Sequence, residues 1–507
     1  MTESKVMNRM LSWLFISFFL FCAPKVNGQE MLGFVNSNYN SLGGSLINPS
    51  LLTNSKNYLE VNVLTFNYFL SNDFAYLPAE DFSIWNAIAG QDLPTYGERK
   101  NNFLYYRNRD PKNAVNNLRF LGPSASYQYG KHGFALTTGM RYLTSVNNVP
   151  WEIPVMSYES LSYEPIQNVN FNDYNLDFST QAWMEIGLSY AYDVYRFLDE
   201  QITVGVSLRM LWGYAGAVSQ INNIDYIILN DSTINFRNMN GQVGYAVPVD
   251  YETNDVPLHD PFFKGRGIGM DIGVTYVKRR YVDSKRFEKA CDQRYEDYIY
   301  RIGFSILDIG RIKYKQNAQL HSFDDVSAIW QNFDTISYDN VNQVVRELSD
   351  VFYGDPDSSY RTDNFKIGMP MALSLQFDYH FKKLENFFIG AIWVQPVRFN
   401  MHTMRRPAQI AVIPRYETKN IEVSVPISLY EYRYPRIGLA ARFSVFTIGT
   451  EKLGTYLGLG DLNGLDIYAS IKINIGKGSC KKNEPIECLN YEFGYSDKEK
   501  DKFRKRK

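Results

Sequence analysis

The sequence lacks a long apolar segment after its first 28 residues. No run between residues 29 and 507 reaches the roughly 20 apolar residues that a membrane-spanning helix needs. It also lacks an excess of one charge, because 53 Lys and Arg stand against 54 Asp and Glu, for a net charge of −1. This balance gives no support for nucleic-acid binding, which requires a basic face. The chain is therefore either water-soluble or crosses a membrane with strands.

Cysteine and histidine are scarce. Only Cys291, Cys480 and Cys488 follow residue 28, and an odd number leaves at least one of them unpaired within the chain. Cys480 and Cys488 are close enough in sequence to form a disulfide in an oxidising compartment. The five histidines occur singly, without the spacing of a zinc site. Nucleophile-elbow, metalloprotease, phosphate-loop and dinucleotide motifs are also missing, so we expect no enzyme, no cofactor and no metal.

The N-terminus has the order of a secretory signal peptide. Lys5 and Arg9 precede an apolar run at residues 10–22, and Val26-Asn27-Gly28 offers small residues for cleavage before Gln29. A transmembrane anchor is the alternative, but the run is shorter than a spanning helix. We expect residues 1–28 to be removed on export.

Aromatic residues and period-two alternation are abundant. The chain has 38 Tyr and 33 Phe, and its mean hydropathy of −0.31 is typical of half-apolar strands. Met184, Ile186 and Leu188 alternate with polar or small residues through position 193, which places the two kinds on opposite faces of a sheet. The same alternation occurs in residues 134–142, 202–210, 268–276, 373–381 and 467–475. These runs have the length of a tilted strand that crosses a bilayer.

Weaker strand patterns complete the fold prediction. They occur in residues 58–68, 123–129, 298–312, 387–399, 408–415, 420–429, 435–442 and 444–449. Together with the six clear runs they predict an all-β fold, a transmembrane antiparallel β-barrel of about 14 strands over residues 57–476, with a range of about 12 to 16. An even number returns the C-terminus to the periplasm, where residues 477–507 form a charged tail.

A soluble β-sandwich also alternates apolar and polar faces, so the connections must separate the two folds. Alternate connections are long, at roughly residues 69–122, 146–180, 214–265 and 318–365, and those between them are mostly tight turns. Long extracellular loops with short periplasmic turns are typical of an outer-membrane barrel. Trp183, Trp212 and Tyr142 are predicted to lie at the outer interface, as part of an aromatic girdle.

If the apolar faces meet lipid, a set of charged and polar side chains points into the lumen. These are Glu185, Asp193, Arg209, Asp271, Arg301, Asp378, His380, Arg442 and Lys472. They form either a permeation path for polar solutes or a fixed network that holds the barrel or a plug. We favour the fixed network because both signs are mixed, whereas a selective pore favours a ring of one sign.

The fourth long connection contains a predicted helix. Val341, Val344, Val345, Leu348 and Phe352 recur at helical spacing, between a cap at Asp339 and a stop at Gly354. The helix is either a lid or partner-binding surface, or a segment that packs on other loops; we favour packing.

Two segments resemble a known family. Gly33-Phe34-Val35-Asn36-Ser37-Asn38-Tyr39 with Ile47-Asn48-Pro49-Ser50, and Phe446-Thr447-Ile448-Gly449-Thr450-Glu451-Lys452-Leu453, resemble the two ends of a Bacteroidota outer-membrane barrel family of unassigned function. The Asn48-Pro49 element is more distantly similar to the N-terminal region of long-chain fatty-acid transporter barrels, whose plan the type IX secretion shuttle barrel shares. That resemblance implies a barrel of about 14 strands whose N-terminal segment, here residues 29–56, partly plugs the lumen.

Three functions fit these expectations. The first is a non-enzymatic surface or secretion-associated scaffold in the outer membrane, which binds another outer-membrane or secreted protein through its outer loops. The second is a channel for small solutes, and the third is an importer of hydrophobic ligands with an apolar pocket and a side opening. We favour the scaffold, because the loops hold more residues than turns require. The partners expected are outer-membrane lipid and such a protein, and not nucleic acid.

Overall fold

The structure, a computed structural model, describes residues 30–82, 84, 88–97, 102–197, 199–253, 255, 261–279, 287–288, 294–295, 298–333, 340–384, 386–398 and 402–475. Within these ranges no helix is long and apolar enough to cross a membrane. The predicted signal peptide, the charged tail, Cys291, Cys480 and Cys488 lie outside the described residues.

Most of the described chain is strand. The strands are β1 (Leu59–Asn72), β2 (Ala75–Tyr76), β3 (Leu104–Tyr105), β4 (Lys112–Leu121), β5 (Ser124–Tyr129), β6 (His132–Val149), β7 (Asn170–Phe197), β8 (Glu200–Ile228), β9 (Ile234–Ala246), β10 (Gly265–Arg279), β11 (Phe287–Glu288), β12 (Arg294–Tyr295), β13 (Tyr298–Tyr314), β14 (Ala318–Trp330), β15 (Tyr360–Thr362), β16 (Phe365–Gly368), β17 (Ala372–His380), β18 (Phe387–Pro396), β19 (Gln409–Glu417), β20 (Ile421–Ser424), β21 (Ile427–Tyr430), β22 (Tyr434–Ile437), β23 (Leu439–Phe443), β24 (Phe446–Thr450) and β25 (Asp466–Ile475).

Helices are short and lie in the connections and at the N-terminus. They are α1 (Leu32–Val35), α2 (Ser41–Ser45), α3 (Glu152–Glu159), α4 (Val341–Tyr353) and α5 (Leu453–Tyr456), with 3₁₀ turns at Pro49–Thr53 and Glu164–Ile166.

The sheet closes on itself as an antiparallel barrel of 14 strands, as the sequence predicted. Strand β1 pairs with β25 on one side and with β4 and β5 on the other, which joins the two ends of the chain. A local irregularity divides some barrel strands into two segments, such as β4 with β5 and β16 with β17. Closure matters because a free edge would leave backbone amides unpaired in lipid.

Alternation along each strand separates a lipid-facing surface from a polar interior. Leu188, Met210 and Ile268 are 66%, 62% and 69% exposed on the outside, whereas Thr203 and Asp271 are buried on the inside. Trp212 and Tyr142 follow the outward register of their strands. Trp183 does not: it is buried inside and donates from Nε1 to Glu185 at 3.0 Å. The girdle prediction was wrong for Trp183 because its odd position belongs to the inward face of β7.

Several strands continue well beyond the length that a bilayer requires. Strands β7 and β8 extend above the barrel, and β8 pairs with β9, which in turn pairs with β14. We call the upper parts of β7 and β8, together with β9, β14, β15 and α4, the extracellular extension. The sequence pattern predicts loops for these stretches. It missed them because neither face of this extracellular extension meets lipid, so polar residues such as Asn170, Asn172 and Asp177 occur on both faces and hide the period.

The extracellular extension has its own hydrophobic core. Phe171, Tyr226, Phe323 and Phe352 are buried in it together. Phe352 belongs to α4, whose cap is Asn340 and whose C-terminal residue is followed by Gly354 in the left-handed conformation. The helix thus packs on the extension sheet through its apolar stripe, and Asp339 lies outside the described residues.

Candidate functional site

The interior of the barrel is filled by the chain's own N-terminal segment. Residues 30–57 are almost all buried inside the ring of strands. Their sequence favours short turns: the side chain of Asn40 accepts from the Gly43 amide at 2.8 Å, and that of Asn48 accepts from the Ser50 amide at 3.0 Å. Each cap satisfies an amide that a short helix leaves free. We call residues 30–57 the lumen segment.

Asn48 joins the lumen segment to the wall. Its Nδ2 lies 2.9 Å from Oε1 of Gln376 and 3.3 Å from Oγ1 of Thr275. The hydroxyl of Ser305 donates to the carbonyl of Ile47, one residue earlier. An amide side chain can satisfy several buried wall groups at once, which fits a compact turn between two strands.

Glycines in the wall allow this close approach. A Cβ added at Gly205 would lie 2.4 Å from the backbone nitrogen of Ser50, and one added at Gly273 would lie 2.0 Å from Oδ1 of Asn48. The contact at Gly205 is with backbone, so rotating a side chain cannot relieve it. The wall is therefore shaped to hold the Asn48-Pro49-Ser50 turn.

A first group of charges surrounds the periplasmic half of the lumen segment. Asp378 accepts from Arg301 at 3.0 Å and from Arg415 at 2.7 Å. Arg415 also contacts Glu417 at 3.2 Å, and Glu417 pairs at 3.3 Å with Lys56 of the lumen segment. Because all these side chains are buried, the paired charges offset one another's loss of hydration.

Further wall residues hold the same part of the segment. Arg442 pairs with Glu422 at 3.1 Å, and Glu422 accepts from the Ser37 hydroxyl at 2.6 Å. Lys472 donates to the carbonyl of Tyr39 at 2.9 Å. His380 stacks on Phe388 with ring centroids 4.2 Å apart.

Two other contacts tie the ends of the lumen segment to the wall. Asp193 accepts from the hydroxyls of Thr53 and Thr203 at 2.8 and 2.7 Å. At the other end, Glu451 accepts from the Leu32 amide at 2.6 Å. The lumen segment is thus bonded around much of the barrel circumference.

A second group of charges lies at mid-height around Asp308. Three arginines contact its carboxylate: Arg141 and Arg209 at 2.9 Å and Arg406 at 3.0 Å. Asp308 has a φ of 54° at a bulge of β13, and its amide donates to Asp271 at 2.7 Å. The bulge reverses the side-chain alternation, which turns Asp308 inward next to Leu307.

The extracellular side contributes a second inserted element. Residues 402–408, in the connection before β19, fold into the barrel and bury Met404, Arg405 and Arg406. Arg406 contacts both Asp308 and Glu30, the first described residue of the lumen segment. The inserted loop and the lumen segment therefore meet inside the barrel.

An apolar layer lies above these charges. Phe69, Trp183, Tyr314 and Tyr430 pack there with Met404 of the inserted loop.

Lower down, a cavity of about 10 Å³ lies beside Phe34, Glu422, Arg442 and Lys472, about the volume that one water molecule needs. Within the described residues, no three His, Cys, Asp or Glu side chains are grouped to hold a metal ion.

Comparison with known proteins assigns the family. A model described as "Family of unknown function (DUF5723)" matches residues 49–451. The chain belongs to this family. No curated protein matches the chain.

Several solved structures resemble this chain over most of its length. The TodX deltaS2S3 mutant monoaromatic hydrocarbon channel has 8% identity and a TM-score of 0.43, over 89% of this chain and 99% of that chain. The toluene transporter TbuX of Ralstonia pickettii has 10% identity and a TM-score of 0.36, over 85% of this chain and 93% of that chain. A FadL homologue of Pseudomonas aeruginosa has 11% identity and a TM-score of 0.35, over 89% of this chain and 98% of that chain. Likeness at this level says nothing about what the DUF5723 protein binds.

The nine polar residues predicted to face the lumen all lie inside this DUF5723 barrel. Glu185, Arg209 and Asp271 belong to the mid-height group, and Arg301, Asp378, His380, Arg442 and Lys472 surround the lumen segment. Asp193 holds the segment's end at Thr53.

Sequence reasoning missed Asp308 and Arg406. Period-two alternation from Arg301 to Leu307 would place Asp308 in lipid. A charged residue at a lipid-facing position, followed by Gly310, is the signal that could have indicated a bulge. Arg405 and Arg406 of the inserted loop lie outside any strand pattern, and the sequence predicts an ordinary connection there.

Proposed function

We propose that this protein is a non-enzymatic outer-membrane scaffold with a closed lumen, which binds another outer-membrane or secreted protein through its extracellular extension. The observation that carries the proposal is the meeting of Arg406 with Glu30, where an element from the outer side joins one from the N-terminus inside the barrel. A conducting pore needs a continuous hydrated path, and this junction lies across it.

The extracellular extension supports the binding half of the proposal. It has a buried core of its own and therefore presents a rigid surface rather than free loops. Ile329 and Tyr360 are 58% and 45% exposed on this sheet. Exposed apolar and aromatic residues on a rigid support are typical of protein-binding surfaces.

Single-channel recording tests the closed lumen. The intact barrel, refolded into planar bilayers, is expected to show no steady conductance. A barrel that lacks both the lumen segment (residues 30–57) and the inserted loop (residues 402–408) is expected to conduct, because the wall side chains that face the lumen segment are polar. Steady conductance of the intact barrel would overturn the scaffold proposal.

Site-specific photo-crosslinking in cells tests the extension. A crosslinker at position 329 or 360 is expected to yield one discrete protein adduct. The matched control is position 129, where Tyr129 is 52% exposed at the opposite end of the barrel. Equal adducts at all three positions, or none at 329 and 360, would refute a partner on the extension.

Gated transport is the second candidate, favoured by the polar contacts of the lumen segment. The lumen segment is held by hydrogen bonds such as Asn48–Gln376 and Thr53–Asp193. Replacing each of them with hydrogen bonds to water has a net cost of about 0.5–1.5 kcal/mol. A ligand or partner that displaced the segment could therefore open the barrel. Conductance of the intact protein that appears only when a solute or partner is added would favour this function over the scaffold.

A further inference from the structure

A row of positive charges crosses three neighbouring strands on the outer surface of the barrel. Arg266 of β10 lies directly opposite Lys313 of β13, and Lys313 lies directly opposite Lys366 of β16. Arg311 lies two residues from Lys313 on the same outward face. We call these four residues the cation ladder. Since strands are about 4.8 Å apart, its three rungs span about 10 Å.

Like charges opposite one another destabilise a sheet. Among the described residues, none forms an ion pair with a member of the cation ladder. Lys278, on the same outward face at the other end of β10, pairs with Asp199 at 2.9 Å and Glu200 at 3.1 Å. The cation ladder thus lacks the carboxylate partners that neutralise Lys278 at the opposite end of the same strand. This difference points to an anionic partner outside the chain.

The cation ladder lies at the outer edge of the membrane. Between Arg266 and Lys278 the outward residues of β10 are apolar, and Ile268 is 69% exposed directly below Arg266. At about 3.4 Å per residue and a tilt of about 45°, this interval has a height of about 29 Å, close to the apolar thickness of a bilayer. The three rungs are therefore at the depth of the outer-leaflet headgroups, and Arg311 lies just below them, opposite Ile268.

An apolar groove lies next to the ladder. Trp212, the partner of Arg266 on β8, lines the groove together with Phe263, Met140 and Met184. Its volume is about 750 Å³, within the range of ligand sites. Gly122, which lies between β4 and β5, and Thr138 of β6 are small and leave this space open. Headgroup-level cations and an apolar recess are thus continuous.

We propose that this face binds a phosphorylated, acylated lipid of the outer leaflet, the lipid A part of lipopolysaccharide, with phosphate on the cation ladder and an acyl chain in the groove. Arginine and lysine are the side chains that bind phosphate best. Trp212 lies between the two parts and suits the boundary between headgroup and acyl chain.

The test uses the full mature chain in detergent, with bisphosphorylated lipid A added and binding followed by native mass spectrometry. The variant R266Q/K313Q/K366Q is expected to bind about tenfold more weakly, since it loses three contacts to phosphate. Folding should survive, because the substitutions remove repulsion. The matched control K131Q/K383Q/K419Q makes the same charge change at the periplasmic turns and is expected to bind like the parent.

Further measurements separate this proposal from others. Dephosphorylated lipid A should bind weakly to the parent protein, with an affinity like that of the ladder variant for bisphosphorylated lipid A. Inorganic phosphate should not compete with lipid A for the parent protein. Ile186→Trp, which narrows the groove, should weaken lipid A binding while leaving heat-modifiable migration unchanged. Equal binding by the ladder variant and the parent would overturn the proposal. So would phosphatidylglycerol binding as tightly as lipid A, or an acidic peptide displacing the lipid.

Discussion

Replacing Asp308 with Asn tests whether the mid-height charges hold the barrel together. Asparagine keeps the volume of the side chain and tolerates the positive φ of 54° at this position. The substitution therefore removes one negative charge without a new cavity or backbone strain. Arg141, Arg209 and Arg406 then share a neutral partner in place of a carboxylate.

The expected loss of stability depends on which carboxylate partners each arginine keeps. Breaking a buried ion pair from one side costs about 3–5 kcal/mol. Arg209 retains Asp271 and Arg406 retains Glu30, so the loss falls mainly on Arg141, whose remaining carboxylate is Glu185 at 3.9 Å. We expect D308N to lower the free energy of unfolding by about 3 kcal/mol, at the lower end of that range.

Equilibrium urea unfolding in lipid vesicles, followed by tryptophan fluorescence, measures this change. Trp183 is a suitable probe because the guanidinium of Arg141 lies 4.8 Å from its ring centroid. The matched control Asp363→Asn removes an exposed carboxylate and should change stability by less than about 0.5 kcal/mol.

A double variant gives the decisive result. R141Q/D308N removes one charge of each sign, so its loss should be smaller than the sum of the two single losses by about 1–3 kcal/mol. Strictly additive losses, or a D308N cost no larger than that of the control, would refute the role assigned to the mid-height charges.

Three other predictions address the wall, the lumen segment and the extension. Leu375→Arg puts a charge on the lipid face and should cost about 2–4 kcal/mol near the midplane, seen as loss of heat-modifiable migration. Gly205→Val should displace the Asn48-Pro49-Ser50 turn, because its Cβ meets backbone, and should make the lumen segment accessible to protease while Gly460→Val, in open space, should not. Burial lowers the pKa of His321 to about 4, whereas the unfolded chain takes up that proton near pH 6.5; stability is therefore complete above about pH 6.5 and falls between about pH 6.5 and 4. His321→Gln should reduce this fall in thermal unfolding measured at pH 7 and pH 4.5, and an unchanged fall would contradict the assignment.

The barrel wall could be predicted from sequence because lipid imposes a strict rule on it. Every second residue of Met184–Asp193 must be apolar when it meets acyl chains. The sequence therefore predicts which way each side chain points and how long the strand is. The same rule failed at Asp308, where a bulge shifts the period, and above residue 213, where β8 leaves the membrane and its outer face meets water.

The sequence by itself determined the membrane-spanning fold and the inward direction of residues such as Asp378 and Arg442, since both follow from local alternation. Only the tertiary structure decided which charges meet. Asp378 with Arg415, Arg406 with Glu30, and Arg266 with Lys313 and Lys366 are brought together by strand register and by the two inserted elements. Register depends on how the ring closes, and closure is a property of all strands at once.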